Sequence, residues 1–319
     1  MSLLTKGVKS IWENEDFRPF ISLIVLFAVS AAINPDFLSS YSIRSLLASM
    51  SPLMFLTLGE MLVLTIGSVD ISLASALALA NVLTAGLMVK HNIPVLPAIL
   101  IVLAVGALVG FINGIITVKG KIPSFIVTIA TGVALRGVCL VYTRGYSIPG
   151  LPTEFLNSFG GNTFGVPNAF LLALTCIILM TVIMKATKLG RYMYAMGGNE
   201  EAARAVGINA DLIRILTFTI AGVFYALGGI IITAQFNSGW PQIASGWELD
   251  GIAAAVIGGA NLAGGAGLPL GALAGTLILG VIVRFLVMIG LNPYYQIVAK
   301  GVIVVLASVT LSKGLKYAK

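Results

Sequence analysis

The chain has 319 residues, 58% of them hydrophobic and only 10% charged, with a mean hydropathy of +1.02. Globular domains carry about 25% charged residues, so a soluble fold is excluded. The net charge of +7 is therefore read against a lipid bilayer, and no nucleic-acid partner follows from it.

A polar leader with Lys6, Lys9, Glu13, Glu15 and Asp16 runs to Arg18 and precedes an apolar stretch from Pro19 to Ile33. It is long and acidic for the start of a cleaved signal, so residues 1–17 are expected as a cytoplasmic N-terminal segment and 18–34 as a first span. Hydropathy and the punctuation by glycine, proline and charge place further spans at 45–67, 71–89, 94–118, 122–142, 167–184, 212–235, 249–266, 269–290 and 294–312. The expected fold is all-α: a polytopic integral membrane protein with about ten transmembrane helices in a single domain, residues 1–319. The stretches "GSVDIS" (67–72) and "GGAGLP" (264–269) are either loops or broken helices within the bilayer. Broken helices are tolerated there only where the backbone is buried in protein or lines a cavity.

With the N-terminus in the cytoplasm, Lys6, Lys9, Arg18, Lys119, Lys121, Lys185, Lys188, Arg191, Arg204, Arg214, Lys313, Lys316 and Lys319 fall on the inner side. Only Arg44, Lys90 and Arg144 fall outside, an asymmetry that puts both termini in the cytoplasm. Cys139 and Cys176 lie in apolar stretches and His91 is the one histidine, so neither a disulfide nor a metal site is expected.

Internal symmetry is faint. "GALVG" (106–110) in the fourth span recurs as "GALAG" (271–275) in the ninth, and "VDISLASALALANVL" at the third resembles "LDGIAAAVIGGANL" at the eighth. Both pairs are five spans apart, which is the offset of a 5+5 inverted repeat; chance likeness among small-residue helices is the alternative. Gly106, Gly110 and Gly114 form a small-residue ridge on which another helix can approach closely.

The largest inner loop is 185–211, and it and its flank carry Lys185, Lys188, Arg191, Glu200, Glu201, Arg204, Asp211 and Arg214. Within it Asn199 is placed to cap a helix, Glu200 and Glu201 suit its first turn, and Gly207 is placed to end it. On these features alone the result is a short two-turn helix, either an ordinary solvated one or a docking element.

Glu201-Ala202-Ala203, three residues and then Gly207 resemble the EAA motif of ATP-binding-cassette importer permeases. "IPSFIVTIATGVALRG" (122–137), "GRYMYAMGGNEEAARAVGI" (190–208) and "ELDGIAAAVIGGANLAGGAG" (248–267) resemble the monosaccharide branch of that group, the ribose, xylose and galactose type, with likeness from about Ser45 onward. The chain departs from the family's usual Gly-Gly-Ile-Asp-Leu-Ser-Val-Gly: Gly67-Ser68-Val69-Asp70-Ile71-Ser72-Leu73-Ala74 has two glycines fewer. The resemblance implies a prokaryotic inner-membrane permease that imports a monosaccharide delivered by a periplasmic or other extracytoplasmic binding protein and works with a second permease copy or a similar paralogue. It also implies that Asn199, Glu200, Glu201, Ala202, Ala203, Arg204 and Gly207 form the coupling helix touching an ATPase subunit. The one Gly-Lys pair, Gly120-Lys121, lacks the rest of a phosphate-binding loop, so ATP and magnesium are expected on partner ATPase subunits and no cofactor on this chain.

Sugars are recognised by amides, carboxylates and aromatic rings, and Asp70, Asn81, Asn113, Phe125, Arg136, Asp250 and Asn261 are the candidate translocation-path residues. Alternatives stand beside several of them. Asp70 and Asp250 sit where helices begin and can serve as caps. Arg136, Arg284 and Lys300 lie in the outer halves of spans and either snorkel outward or border a vestibule. Glu60 lies deeper, with no paired acid expected in the spans. No catalytic residues are assigned; an ion-coupled secondary transporter of a small polar solute is the rival reading.

Overall fold

The computed structural model describes residues 18–292 and, beyond them, 294–295, 298 and 301–302. The leader 1–17 and all but those positions of the expected span 294–312 lie outside the described residues. In chain order the helices are α1 (Arg18–Ile33), α2 (Ser40–Thr65), α3 (Leu73–Ala85, extended by a π turn Gly86–Lys90), α4 (Val95–Gly120), α5 (Ser124–Thr143), α6 (Thr153–Gly160), α7 (Asn168–Ala186), α8 (Lys188–Gly198), α9 (Glu200–Ala205), α10 (Ala210–Phe236), α11 (Trp247–Ile257) and α12 (Pro269–Met288). Two short antiparallel strand pairs are also present: β1 (Ile148–Pro149) pairs with the sequence-distant β4 (Ser238–Gly239), and β2 (Asn162–Thr163) forms a hairpin with β3 (Val166–Pro167).

The architecture is all-helical and multi-pass. Seven helices among the described residues, α2, α3 with its π turn, α4, α5, α7, α10 and α12, are long and apolar enough to cross a membrane. α1 is apolar but has only 16 residues. The expected span 249–266 is corrected: it is helical only as α11 and then runs irregularly to Leu268. The cause is local, because Gly259, Gly264, Gly265 and Gly267 all take positive φ, which no α-helix accommodates. Backbone bonds Ala260 N–H to Ala255 O, Asn261 N–H to Ala266 O and Gly265 N–H to Thr65 O keep this stretch satisfied internally.

α10 is the central post. It packs against α2, α3 and α4. Its window is 67% buried, whereas those of α4, α5 and α7 are below 30% and leave outer faces for lipid or a partner. The α4 ridge behaves as the sequence suggests: Gly106, Gly110 and Gly114 lie against Gly222, Phe218 and Ile215, and a Cβ on Gly110 would overlap the Phe218 carbonyl. This register runs α4 antiparallel to α10. Gly59 against Ala221 and Tyr225, with Gly228 against Pro52, runs α2 antiparallel to it as well. Gly229 against Leu77, with Gly239 against Ala85, runs α3 parallel to α10. Contacts also pair off across the chain: α4 packs on α10 as α12 packs on α2, α3 packs on α10 as α11 packs on α2, and α3 packs on α4 as α11 packs on α12.

Candidate functional site

The inner loop folds as its residues dictate. The Asn199 side chain accepts a bond from Ala202 N–H at 2.9 Å, which starts α9, and Gly207 at φ +87 ends it through its N–H to Arg204 O. The helix is shorter than two turns, six residues, with Val206 as its C-cap. Ala203 is buried beneath it, while Glu201, Ala202 and Val206 face outward. Four charges clamp α9 to the start of α10: Arg204 Nη2 meets Glu200 Oε1 at 2.9 Å and also Asp211, and Arg214 Nη2 meets Glu200 Oε2 at 2.6 Å. Partial burial opposes ionisation of Glu200, but the bonds from Arg214 and Arg204 outweigh it and hold its carboxyl below the usual value. Bonds to Asp211 and Glu200 likewise raise Arg204 above the ordinary guanidinium value.

The loop also touches both irregular stretches. Gly197, near the end of α8, lies so close to Thr65 and Gly265 that a Cβ would overlap the Thr65 carbonyl. Gly265 N–H donates to Thr65 O at 2.9 Å, and Tyr194 donates its hydroxyl to Gly267 O at 2.6 Å. Gly264 packs on Gly67, so the 66–72 and 258–268 breaks meet each other as well as α8. A cleft of about 700 Å³ opens beside this junction, between Gly67–Val69, the Lys121–Phe125 turn and the Glu200, Arg204, Asp211 and Arg214 cluster.

Behind the first break lies a closed polar network. Asp70, Glu60 and Asn113 are at most 1% exposed. Asp70 Oδ1 accepts from Ser72 N–H at 2.8 Å and Ser72 Oγ at 2.5 Å. Asn113 Nδ2 donates to Ser72 Oγ at 3.0 Å, and Thr131 Oγ1 donates to Asn113 Oδ1 at 2.7 Å. Glu60 accepts from the Asp70 N–H and from the Tyr225 hydroxyl, both at 3.3 Å. α5 steadies the break itself, since Val69 N–H donates to Ser124 Oγ and Ile71 N–H to Thr128 Oγ1, each at 3.0 Å. Hydroxyl groups on a neighbouring helix thus hold the bend where two glycines of the related motif are replaced.

The expected path residues do not form one site. Asp70 and Asn113 come together through Ser72; Asp70 does not cap α3, whose N-cap is Ser72, but accepts from the Ser72 N–H and hydroxyl in the turn before the helix. Asp250 is buried in the first turn of α11, where Gly246 holds the cap position. Phe125 lines the cleft, half exposed, and Asn261 turns the second break by accepting from Ala263 N–H at 2.9 Å. Asn81 and Arg136 sit toward the other end of the bundle. Asn81 donates to Thr233 Oγ1 and Ser238 O and accepts from Trp240 N–H. Arg136 does not stand free: Nη1 donates to Pro241 O at 2.8 Å and Ile243 O at 3.0 Å. Arg284 donates to Ser42 Oγ at 3.2 Å, and Lys300 lies outside the described residues. The expectation of no paired acid in the spans fails at Glu60, which Asp70 joins across the break. Ser72, Thr131, Tyr194 and Tyr225 carried no signal in sequence, being common residues whose partners lie far along the chain.

Residues 42–308 match the family described as the permease component of the branched-chain amino acid transport system. The chain belongs to this permease family. It is 37% identical to the ribose import permease protein RbsC of Haemophilus influenzae, over 91% of each chain. It is 37% identical to RbsC of Bacillus subtilis, over 91% of this chain and 90% of that one. To the galactose/methyl galactoside import permease protein MglC of Escherichia coli it is 31% identical, over 94% of each. No solved structure matches. The resemblance to importer permeases of the monosaccharide branch therefore holds over nearly the whole length, and this family member is a multi-pass transport subunit, not an enzyme.

Proposed function

We propose that this chain is the membrane permease of an ATP-binding-cassette importer, moving a ribose-like monosaccharide handed to it by an extracytoplasmic binding protein. Its relatives along nine-tenths of the sequence are named as ribose import permeases. One structural observation carries the mechanism. The capped, ion-paired α9 follows α8 after the single extended residue Asn199, and α8 bears on the end of α2 and on the second break through Gly197 and Tyr194. Glu201, Ala202 and Val206 present the outer face of α9 to a cleft on an ATPase subunit that binds ATP and magnesium. Closure of the ATPases moves α9 and α8 together, and α8 shifts the breaks that bound the translocation path. A short helix clamped by ion pairs passes such a displacement on through packed contacts, where a slack loop would absorb it.

The α9 face is cytoplasmic in this reading, with both termini on the same side, and the inner membrane holds about ten spans once residues 293–319 are included. The pairing of contacts across the chain supports a 5+5 inverted repeat: the three packing pairs of α2, α3, α4 and α10 to α12 named above map onto counterparts five spans on. A second permease copy covers the exposed face of α5, where Gly137 opens onto free space. Asp70 and Asn113, with Ser72 and Thr131, are the path residues that the buried network favours; Phe125 and Asn261 belong to its inner mouth.

The test is ATP-driven uptake of labelled ribose into vesicles holding the permease, its ATPase and its binding protein. Uptake is expected to require all three. A stand-alone ion-coupled transporter is the second reading, favoured by the Glu60–Asp70 pair, and uptake that proceeds unchanged without any ATPase subunit would establish it instead.

A further inference from the structure

Glu60 and Asp70 place two carboxylates in the interior of the bundle, at 0% and 1% exposure. Among the described residues, no lysine, arginine or histidine forms an ion pair with either; the ion pairs present all belong to the α9 clamp. Three of the four carboxylate oxygens accept bonds, from Ser72, from the Asp70 N–H and from Tyr225. The fourth, Asp70 Oδ2, is buried and has no hydrogen-bond partner. A buried carboxylate oxygen without a partner calls for an occupant, and acids inside a membrane bundle are candidates for functional sites by default.

We propose that Glu60, Asp70 Oδ2 and the Tyr225 hydroxyl bind one small alkali cation of sodium's size at the root of the α2–α3 break. The groups are fixed from several sides before any ion arrives. Asp70 is held by Ser72, Ser72 by Asn113, and Asn113 by Thr131; Tyr225 reaches in from α10. An all-oxygen donor set selects a hard cation over a soft transition metal. No group of three or more His, Cys, Asp or Glu side chains occurs among the described residues, which disfavours calcium with its six to eight oxygen ligands. A bound cation ties the break to α2 and α10 by bridging their oxygens. The site does not depend on which solute is carried.

The test uses the purified full-length permease, without ATPase, in detergent. Its melting temperature is measured in sodium chloride and in choline chloride at equal ionic strength and fixed pH. A saturable rise of a few degrees specific to sodium is expected, and it should vanish in Glu60→Gln and Asp70→Asn. Equal melting in both salts, or a sodium effect that survives both substitutions, overturns the proposal. Stabilisation that follows pH and ignores sodium overturns it in favour of a proton shared by the pair. Where the variants fail to fold, retention of radioactive sodium by the wild-type chain decides: about one equivalent is expected, and none overturns the site. Because no transport is measured, failure here leaves the importer reading standing, and failure of ATP-driven uptake leaves the cation site standing.

Discussion

The α9 clamp and the Glu60–Asp70 network lie on either side of one break, yet they obey different electrostatics. In the clamp Glu200, Arg204 and Asp211 are 36 to 48% exposed, so each pair contributes little and is screened by salt. Arg214, at 16%, is the sheltered partner that ties α9 to α10. In the network Thr131, Asn113, Tyr225 and Glu60 bond between different helices, and Glu60, Asp70, Ser72 and Asn113 are at most 1% exposed. The clamp can therefore be loosened gradually, whereas the network is cooperative and breaks as a unit. A surface that must engage and release a partner suits the first; a bend that must hold its shape in the membrane suits the second.

The sharpest way to break the comparison is at the junction between the two. Gly197→Ala sets a Cβ against the Thr65 carbonyl and Gly265 N–H, an overpacking that costs about 1–3 kcal/mol. ATP-driven uptake should be lost while basal ATP hydrolysis persists; normal uptake in vesicles would refute α8 as the link to the breaks. Next comes Asn113→Leu, which strands the Thr131 hydroxyl and takes one of its two bonds from the Ser72 hydroxyl, and should lower stability by about 1–3 kcal/mol, read by thermal unfolding.

Smaller effects are expected in the clamp. Arg214→Gln should cost about 1 kcal/mol and make unfolding less dependent on ionic strength than in the wild type. The folded Glu200 carboxyl lies below its ordinary value, so its contribution is present at neutral pH and disappears as pH falls through the folded value. In Arg214→Gln that loss should be smaller and be complete at higher pH, which a stability profile between about pH 3 and pH 6 would detect. Asn199→Ala should cost about 1 kcal/mol and Asn199→Asp almost nothing, as measured by unfolding. Glu201→Gln, on the outward face, should leave stability within about 0.5 kcal/mol while separating ATP hydrolysis from uptake. A matching loss of both activities would refute its role at the ATPase.

Much of this was legible one residue at a time. Caps and stops are local chemistry, so Asn199 and Gly207 announced α9 without any tertiary context, and the α4 ridge announced its close contact because small side chains at a four-residue spacing share one helix face. The span 249–266 misled because hydropathy measures greasiness and not backbone shape: Ala, Ile and Gly score as apolar whether they coil as helix or turn at positive φ.

The sequence by itself determined a multi-pass membrane protein, its family and the helix that protrudes from it, because length, apolarity and capping are properties of consecutive residues. Only the tertiary structure decided which polar groups share a site. Glu60 meets Tyr225 across 165 residues, Asn113 meets Ser72 across 41, and Tyr194 meets Gly267 across 73. Hydrogen bonding acts over about 3 Å of space and is indifferent to distance along the chain, so these partners became visible only once the helices had packed.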